Sequence, residues 1–259
     1  MTPDADEVVE RLRAAGCVFA EDEAALLREA AADDAQLETM LARREAGEPL
    51  EVIVGWAEFS GRRVVVGPGV FVPRRRTELL ARAAAELAVP GVVVVELCCG
   101  VAAVAAVVSA AVPGAEVFAA DVDPRAVEVA RRNLPPVAGS DRVFEGDLFD
   151  ALPAGLRGRV GILIANAPYV PTDEIALMPP EAREHEPLVA LDGGSDGLDV
   201  QRRIIADART WLAPGGSLLI ETSVRQAPAT ADAMRAGGLD PRIVHDDDLD
   251  ATVVAGLAP

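Results

Sequence analysis

Lysine is absent from this chain. All 24 fixed positive charges are arginine, set against 42 acidic residues for a net charge of −18. Capture of a nucleic-acid backbone is driven largely by cations, so so anionic a chain excludes nucleic acid as the main partner. Cysteine is scarce and odd in number: Cys17, Cys98 and Cys99, two of them adjacent. That excludes a disulfide framework and fits a reducing compartment. The two histidines, His185 and His245, stand far apart, and no Cys/His spacing suits a metal, so none is expected. No apolar run reaches the ~18 residues of a membrane span. Met1-Thr2-Pro3-Asp4 lacks the basic and apolar regions of a secretory leader. The expected setting is therefore the cytoplasm, away from membranes; no pattern speaks to oligomeric state.

Aromatics make up only 3% of the chain, yet 51% of it is hydrophobic. A core must therefore be built from Ala, Val and Leu. At 259 residues there is room for one large domain or two smaller ones. Helical periodicity over 6–15, 22–32 and 34–47, with caps at Asp4 or Asp6 and at Asp34, predicts a small helical domain over 1–48. Residues 49–76 form a linker in which Ser60-Gly61 turns a hairpin between two short strands. From 77 to 259 helices and strands alternate: strands at 92–97, 116–120, 142–145, 160–165 and 217–221, weaker ones near 242–245 and 251–255, and a long loop at 170–197. Such alternation predicts a parallel, doubly wound α/β sheet.

The single tyrosine, Tyr169, and one of only two asparagines, Asn166, fall within one tetrapeptide, Asn166-Ala167-Pro168-Tyr169. It follows the apolar run Ile162-Leu163-Ile164-Ala165, which reads as a fully buried strand. In an open α/β sheet, ligands bind beyond the carboxyl ends of the strands. Asn offers an acceptor and a donor at fixed separation, Pro168 stiffens the turn, and Tyr169 adds a flat face. Together they suit a planar group bearing an NH2; the plain alternative is a turn after a strand.

A cofactor site is predicted at the preceding strand ends. Glu96 closes one strand, Cys98 to Ala102 turn into a helix, and Asp121 closes the next strand about 20 residues on, the layout of an adenosine-ribose site. Asp121 would accept both ribose hydroxyls, and Asp147, after the third strand, the adenine amine. The turn holds one glycine, Gly100, too few for a pyrophosphate. S-adenosylmethionine, which has no phosphate, fits better than NAD.

Asn166-Ala167-Pro168-Tyr169 resembles the Asn-Pro-Pro-Tyr signature of methyltransferases that act on planar nitrogen. Four further stretches resemble the release-factor glutamine methyltransferase family: Arg43 to Leu50, Val72-Pro73-Arg74 through Thr77-Glu78, Glu186-Pro187-Leu188-Val189-Ala190-Leu191, and Gly194-Ser195-Asp196-Gly197-Leu198. The resemblance runs from about Arg43 onward. It implies a Rossmann-like class I S-adenosylmethionine-dependent methyltransferase sheet, an N-terminal helical substrate domain and a hairpin linker. It further implies methyl transfer to a glutamine side-chain nitrogen of a protein, with a release factor as the family's acceptor. Catalysis would then rest on Asn166, Pro168 and Tyr169. Glu96, Cys98, Gly100, Asp121, Val122, Asp147, Leu148 and Asn166 would bind the cofactor. Asn166, Ala167, Pro168, Tyr169, Glu186 and Pro187 would bind the acceptor. Cys98, Val101 and Ala102 depart from the family's cofactor loop, Ala167 from its first proline, and Arg75-Arg76 from its Pro-acidic pair. These departures point to a divergent paralogue. They leave open another amide or small-molecule acceptor, or a methyltransferase-like protein that only binds. The Arg74–Arg76 run reads as a solvated junction that could also bind a carboxylate or an acidic partner.

Overall fold

A computed structural model describes residues 4–259. The leader reading at Met1-Thr2-Pro3 and the start of the 1–48 segment lie outside these residues. Helices α1 (Ala5–Ala14), α2 (Ala20–Ala30) and α3 (Asp34–Glu45) form a bundle around Leu12, Leu27 and Leu41, all fully buried. The Asp4 side chain caps α1 by accepting from the Glu7 N–H at 2.8 Å. The cap of α3 is Asp33 rather than Asp34. Asp33 has the extended backbone a cap requires and accepts from the Gln36 N–H, while Gln36 Oε1 accepts in return from the Ala32 N–H, each at 2.8 Å. Arg11 ties this bundle by bonding both Glu45 and Glu38.

Leu50–Val54 is a short helix, α4, bracketed by Pro49 and by Gly55 in the left-handed region. Successive residues on a helix point about 100° apart. Ile53 therefore packs into the N-terminal bundle while Val52 packs into the main core. Strands β1 (Trp56–Phe59) and β2 (Arg62–Val65) form an antiparallel hairpin that turns at Ser60-Gly61, both at positive φ.

The remaining elements are α5 (Glu78–Leu87), β3 (Val93–Leu97), α6 (Ala103–Ala111), β4 (Glu116–Asp121), α7 (Pro124–Asn133), β5 (Val143–Glu145) and β6 (Val160–Ala165). After them come α8 (Pro180–His185), α9 (Asp199–Trp211), β7 (Leu212–Thr222), α10 (Ala227–Ala236), β8 (Asp240–Asp246) and β9 (Ala251–Leu257). The sheet has seven strands in the order β5-β4-β3-β6-β7-β9-β8. The first five are mutually parallel, but β9 runs antiparallel between β7 and β8. The parallel, doubly wound expectation holds for the first five strands; the last pair is antiparallel because the connection 247–250 is too short for the crossover that a parallel pair needs. The long loop expected over 170–197 is also more ordered than its composition suggests. It contains α8 and is pinned by a bridge between Val170 and Asp192. Among the described residues no helix is long and apolar enough to cross a membrane.

The sheet is buried on both faces, which explains why its strands show no alternation. Ile162 and Ile164 face the core shared with α5, α6 and α7; Leu163 and Ala165 face the one shared with α9 and α10. Leu163 is fully buried. Leu163→Ala is expected to cost about 2–5 kcal/mol, read as a lower urea midpoint.

Candidate active site

The carboxyl ends of β3, β4 and β6 meet where the strand order reverses, on either side of β3. A cavity of about 790 Å3 opens there, and it joins the two sets of residues singled out by the sequence. Glu96, Cys98, Gly100, Asp121, Val122, Asp147 and Leu148 line one end. Asn166, Ala167, Pro168, Tyr169 and Pro187 line the other.

The 98–102 turn is held by two carboxylates. Asp121 Oδ2 accepts from the Gly100 N–H at 2.7 Å, and its Oδ1 from the Asp123 N–H at 2.9 Å. Glu96 Oε2 accepts from the Ala105 N–H at 2.7 Å. It thereby caps α6, whose own N-cap residue, Ala102, has no capping side chain. Cys98, Gly100 and Ala102 all sit near φ +50 to +60°. Only glycine adopts that conformation freely, so the two substituted positions each cost on the order of 1 kcal/mol. The Ala102 methyl is buried in the core, whereas Cys98 and Val101 form cavity wall. Burial raises the thiol pKa of Cys98 and Cys99, with Asp121 adding to it, so both stay protonated.

An adenosine-bearing cofactor fits this end. A Cβ at Gly100 would enter open space, so backbone approach to a ligand is unobstructed there. Val122, an apolar residue 48% exposed, stands beside Asp121 in the cavity with Leu148. The Asp121 oxygens each take one backbone donor and keep lone pairs for hydroxyls. Asp147 differs from expectation in having a partner already, Arg203 at 2.6 Å. Among the described residues no group of His, Cys, Asp or Glu is placed to hold a metal.

At the other end, Asn166 Nδ2 donates to Thr77 Oγ1 at 3.2 Å. Near Thr77 lies Glu221, a residue 2% exposed at the end of β7. The Tyr169 phenol pKa is raised, first by burial and then by the nearby Glu221. The Tyr169 backbone is fixed by Gln226 Nε2, which donates to its carbonyl at 2.9 Å. Glu186 departs from its expected role at the acceptor. It does not line the cavity, and its Oε1 accepts from the Val72 N–H at 3.1 Å and from Arg74 at 2.7 Å. Glu186 therefore straps the 170–197 segment to the 72–74 segment. Arg74, read as solvated or carboxylate-binding, is the other half of that strap and takes the second of those roles. Sequence reasoning missed Thr77, Glu221, Gln226 and Arg203. Of these, only Thr77 fell within a quoted motif.

Four carboxyls, the buried Glu96, Glu221 and Glu186 and the half-buried Asp121, have raised pKa values, in each case mainly from desolvation; Glu96 is pushed to about 8 and Glu221 to about 7. Between the ordinary carboxylate range and about pH 8 the folded state thus binds more protons than the unfolded one, and stability falls as pH rises. Carboxylates lowered by arginine partners, such as Glu45, Glu48 and Asp123, are already ionised in both states across that window. Thermal melts from pH 5 to 8 are expected to show a falling midpoint, and Glu96→Gln a flatter one.

Comparison with known proteins agrees with this geometry. The family profile described as "Methyltransferase small domain" matches residues 62–178. The release factor glutamine methyltransferase of Bifidobacterium longum is 38% identical over 254 residues, covering 92% of this chain and 86% of that relative. Its counterpart in Geobacter sulfurreducens is 38% identical over 188 residues, covering 73% of this chain and 65% of that relative's length. Among solved structures, a methyltransferase from Pyrococcus furiosus superposes with a TM-score of 0.56 at 16% identity, over 76% of this chain and 89% of that one, a likeness of fold. The chain belongs to the release factor glutamine methyltransferase family and has the fold of an S-adenosylmethionine-dependent methyltransferase.

Proposed function

We propose that the protein transfers a methyl group from S-adenosylmethionine to the side-chain amide nitrogen of a glutamine in a protein acceptor, a peptide chain release factor, in the cytoplasm. The observation that carries this reading is the placement of Asn166-Ala167-Pro168-Tyr169 in the same cavity as Asp121 and Asp147. Asp121 would hold the cofactor's ribose, Asp147 its adenine amine, and Val122 and Leu148 the adenine faces. When bound, S-adenosylmethionine supplies an electrophilic methyl carbon.

An amide nitrogen is a weak nucleophile because its lone pair is delocalised. The site answers with alignment. Asn166 Oδ1 and the backbone carbonyl near Ala167 would accept the two amide hydrogens and aim the nitrogen along the cavity. Holding reacting groups in line can supply several kcal/mol of a barrier. Tyr169 closes the site with a ring face that favours a cationic neighbour. The hydrogen bond to Asn166 Oδ1 gives the nitrogen's surplus proton a route out.

The reading is tested by incubating the protein with S-adenosylmethionine and a purified release factor, then mapping the product by mass spectrometry. One added methyl on a glutamine is expected. An unmodified release factor, with cofactor binding intact by calorimetry, would overturn it.

A further inference from the structure

We propose that Arg203 is a positioning residue: it fixes the orientation of the Asp147 carboxylate and thereby sets which nucleobase the cofactor site accepts. The inference rests on the placement of adenine beside Asp147 proposed above and is independent of the methyl acceptor.

The backbone at Asp147 is held by its neighbours. Gly146, at φ +151°, donates its N–H to the Asp121 carbonyl at 2.9 Å, and a Cβ there would lie 3.0 Å from the Ala151 methyl. Leu148, on the other side, sits in the left-handed region at φ +49°. The Asp147 side chain has no such constraint. It stands at the start of the 148–151 turn but caps nothing there. The hydrogen bond that orients it comes from Arg203 Nη2, 2.6 Å from Oδ2. Oδ1 keeps its lone pairs for a ligand.

Both side chains line the cavity, Arg203 from α9 together with Val200 about one turn before it. They are 55% and 51% exposed, and a pair so open to solvent contributes little to stability. The fold has a separate tie between the same two elements. Phe149, in the turn after Asp147, stacks on Trp211 of α9 with ring centroids 5.4 Å apart. The ion pair is therefore not needed to join α9 to this corner, and its effect falls on the ligand.

The chemistry at stake is the edge of the base. Adenine presents an amino group, a donor, which an ionised carboxylate accepts. Hypoxanthine, the deaminated base, presents a carbonyl oxygen at the same place, which a carboxylate repels. A carboxylate free to rotate in water can turn away from either, and ordering it on binding costs entropy. Held by Arg203, it stays in place to bind the first and repel the second.

Titration calorimetry with S-adenosylhomocysteine and with its deaminated analogue, S-inosylhomocysteine, tests this without an acceptor. Wild type is expected to prefer the adenine compound by on the order of 100-fold. Arg203→Met keeps a long side chain and loses the donor. It is expected to bind S-adenosylhomocysteine on the order of 10-fold more weakly, with the inosine compound unchanged or tighter. In an Asp147→Ala background the same substitution is expected to change neither affinity, since a residue that acts through another then has nothing to act on. Arg203→Lys, still a donor, is expected to lie between Arg203→Met and wild type. Arg202→Met removes the same charge one position earlier, where the guanidinium pairs with Asp196 and Asp199, and is expected to bind both compounds as wild type does. Ligand-free thermal melts are expected to superpose for all these variants. An equal loss of both compounds in Arg203→Met, the same loss with and without Asp147, or a matching loss in Arg202→Met would overturn the proposal. Selectivity lost in Asp147→Ala but kept in Arg203→Met would overturn the role of Arg203 alone. A wild type that binds both compounds alike, or an Asp147→Ala variant that still discriminates, would overturn the adenine placement as well.

Discussion

Asn166→Ala is expected to lower kcat by on the order of 10²–10³-fold while S-adenosylmethionine still binds. The substitution removes the side-chain acceptor that would hold one amide hydrogen, and it takes nothing from the carboxylates at the cofactor end. Asn166 is half-buried, and among the described residues the one hydrogen bond of its side chain runs to Thr77. The fold therefore loses little, and the melting midpoint is expected to stay close to wild type. Single-turnover kinetics with calorimetry on the same samples separates the two quantities. Unchanged turnover would remove Asn166 from the reaction and move the acceptor site elsewhere in the cavity.

The second large effect is expected at Asp121. Two ribose hydroxyls donating to one ionised carboxylate, each bond contributing about 1.5–3 kcal/mol, imply a loss of at least about 3 kcal/mol on Asp121→Ala, or on the order of 10²-fold in cofactor affinity. The same substitution orphans the Gly100 N–H, which Asp121 Oδ2 accepts at 2.7 Å. Affinity should therefore fall further than ribose contacts alone account for, because the 98–102 turn loosens as well. Asp121→Asn retains an acceptor oxygen and is expected to fall between wild type and the alanine variant. Titration calorimetry gives the affinities, and a thermal melt reports the loosening. An alanine variant that binds the cofactor like wild type would place the ribose elsewhere.

What the sequence made legible was whatever chemistry stays local along the chain. Asn166 and Tyr169 stood out because a rare-residue cluster followed a continuous apolar run. Asp121 stood out because it ended the second strand after a turn. Each reading needed only a few neighbouring residues. The bond from Asn166 to Thr77 joins positions 89 residues apart, and no periodicity marks it. Glu221 ends an apolar strand as a solvated residue would, yet it is 2% exposed in a strand flanked by β6 and β9. Glu186 was misread for a related reason. Its motif was recognised, but its carboxylate is taken up by the distant Val72 and Arg74.

The position of β9 also bears on how the polypeptide assembles as it is synthesised. Residues 251–257 are the last strand to be made, yet they slot between β7 and β8, which precede them. Until they emerge from the ribosome, β7 presents an unpaired edge and β8 has no neighbour to dock on. An apolar edge left open during translation invites pairing with other nascent chains. The β7 edge of the sheet therefore closes last, after the cofactor end between β3 and β4 has every strand it needs.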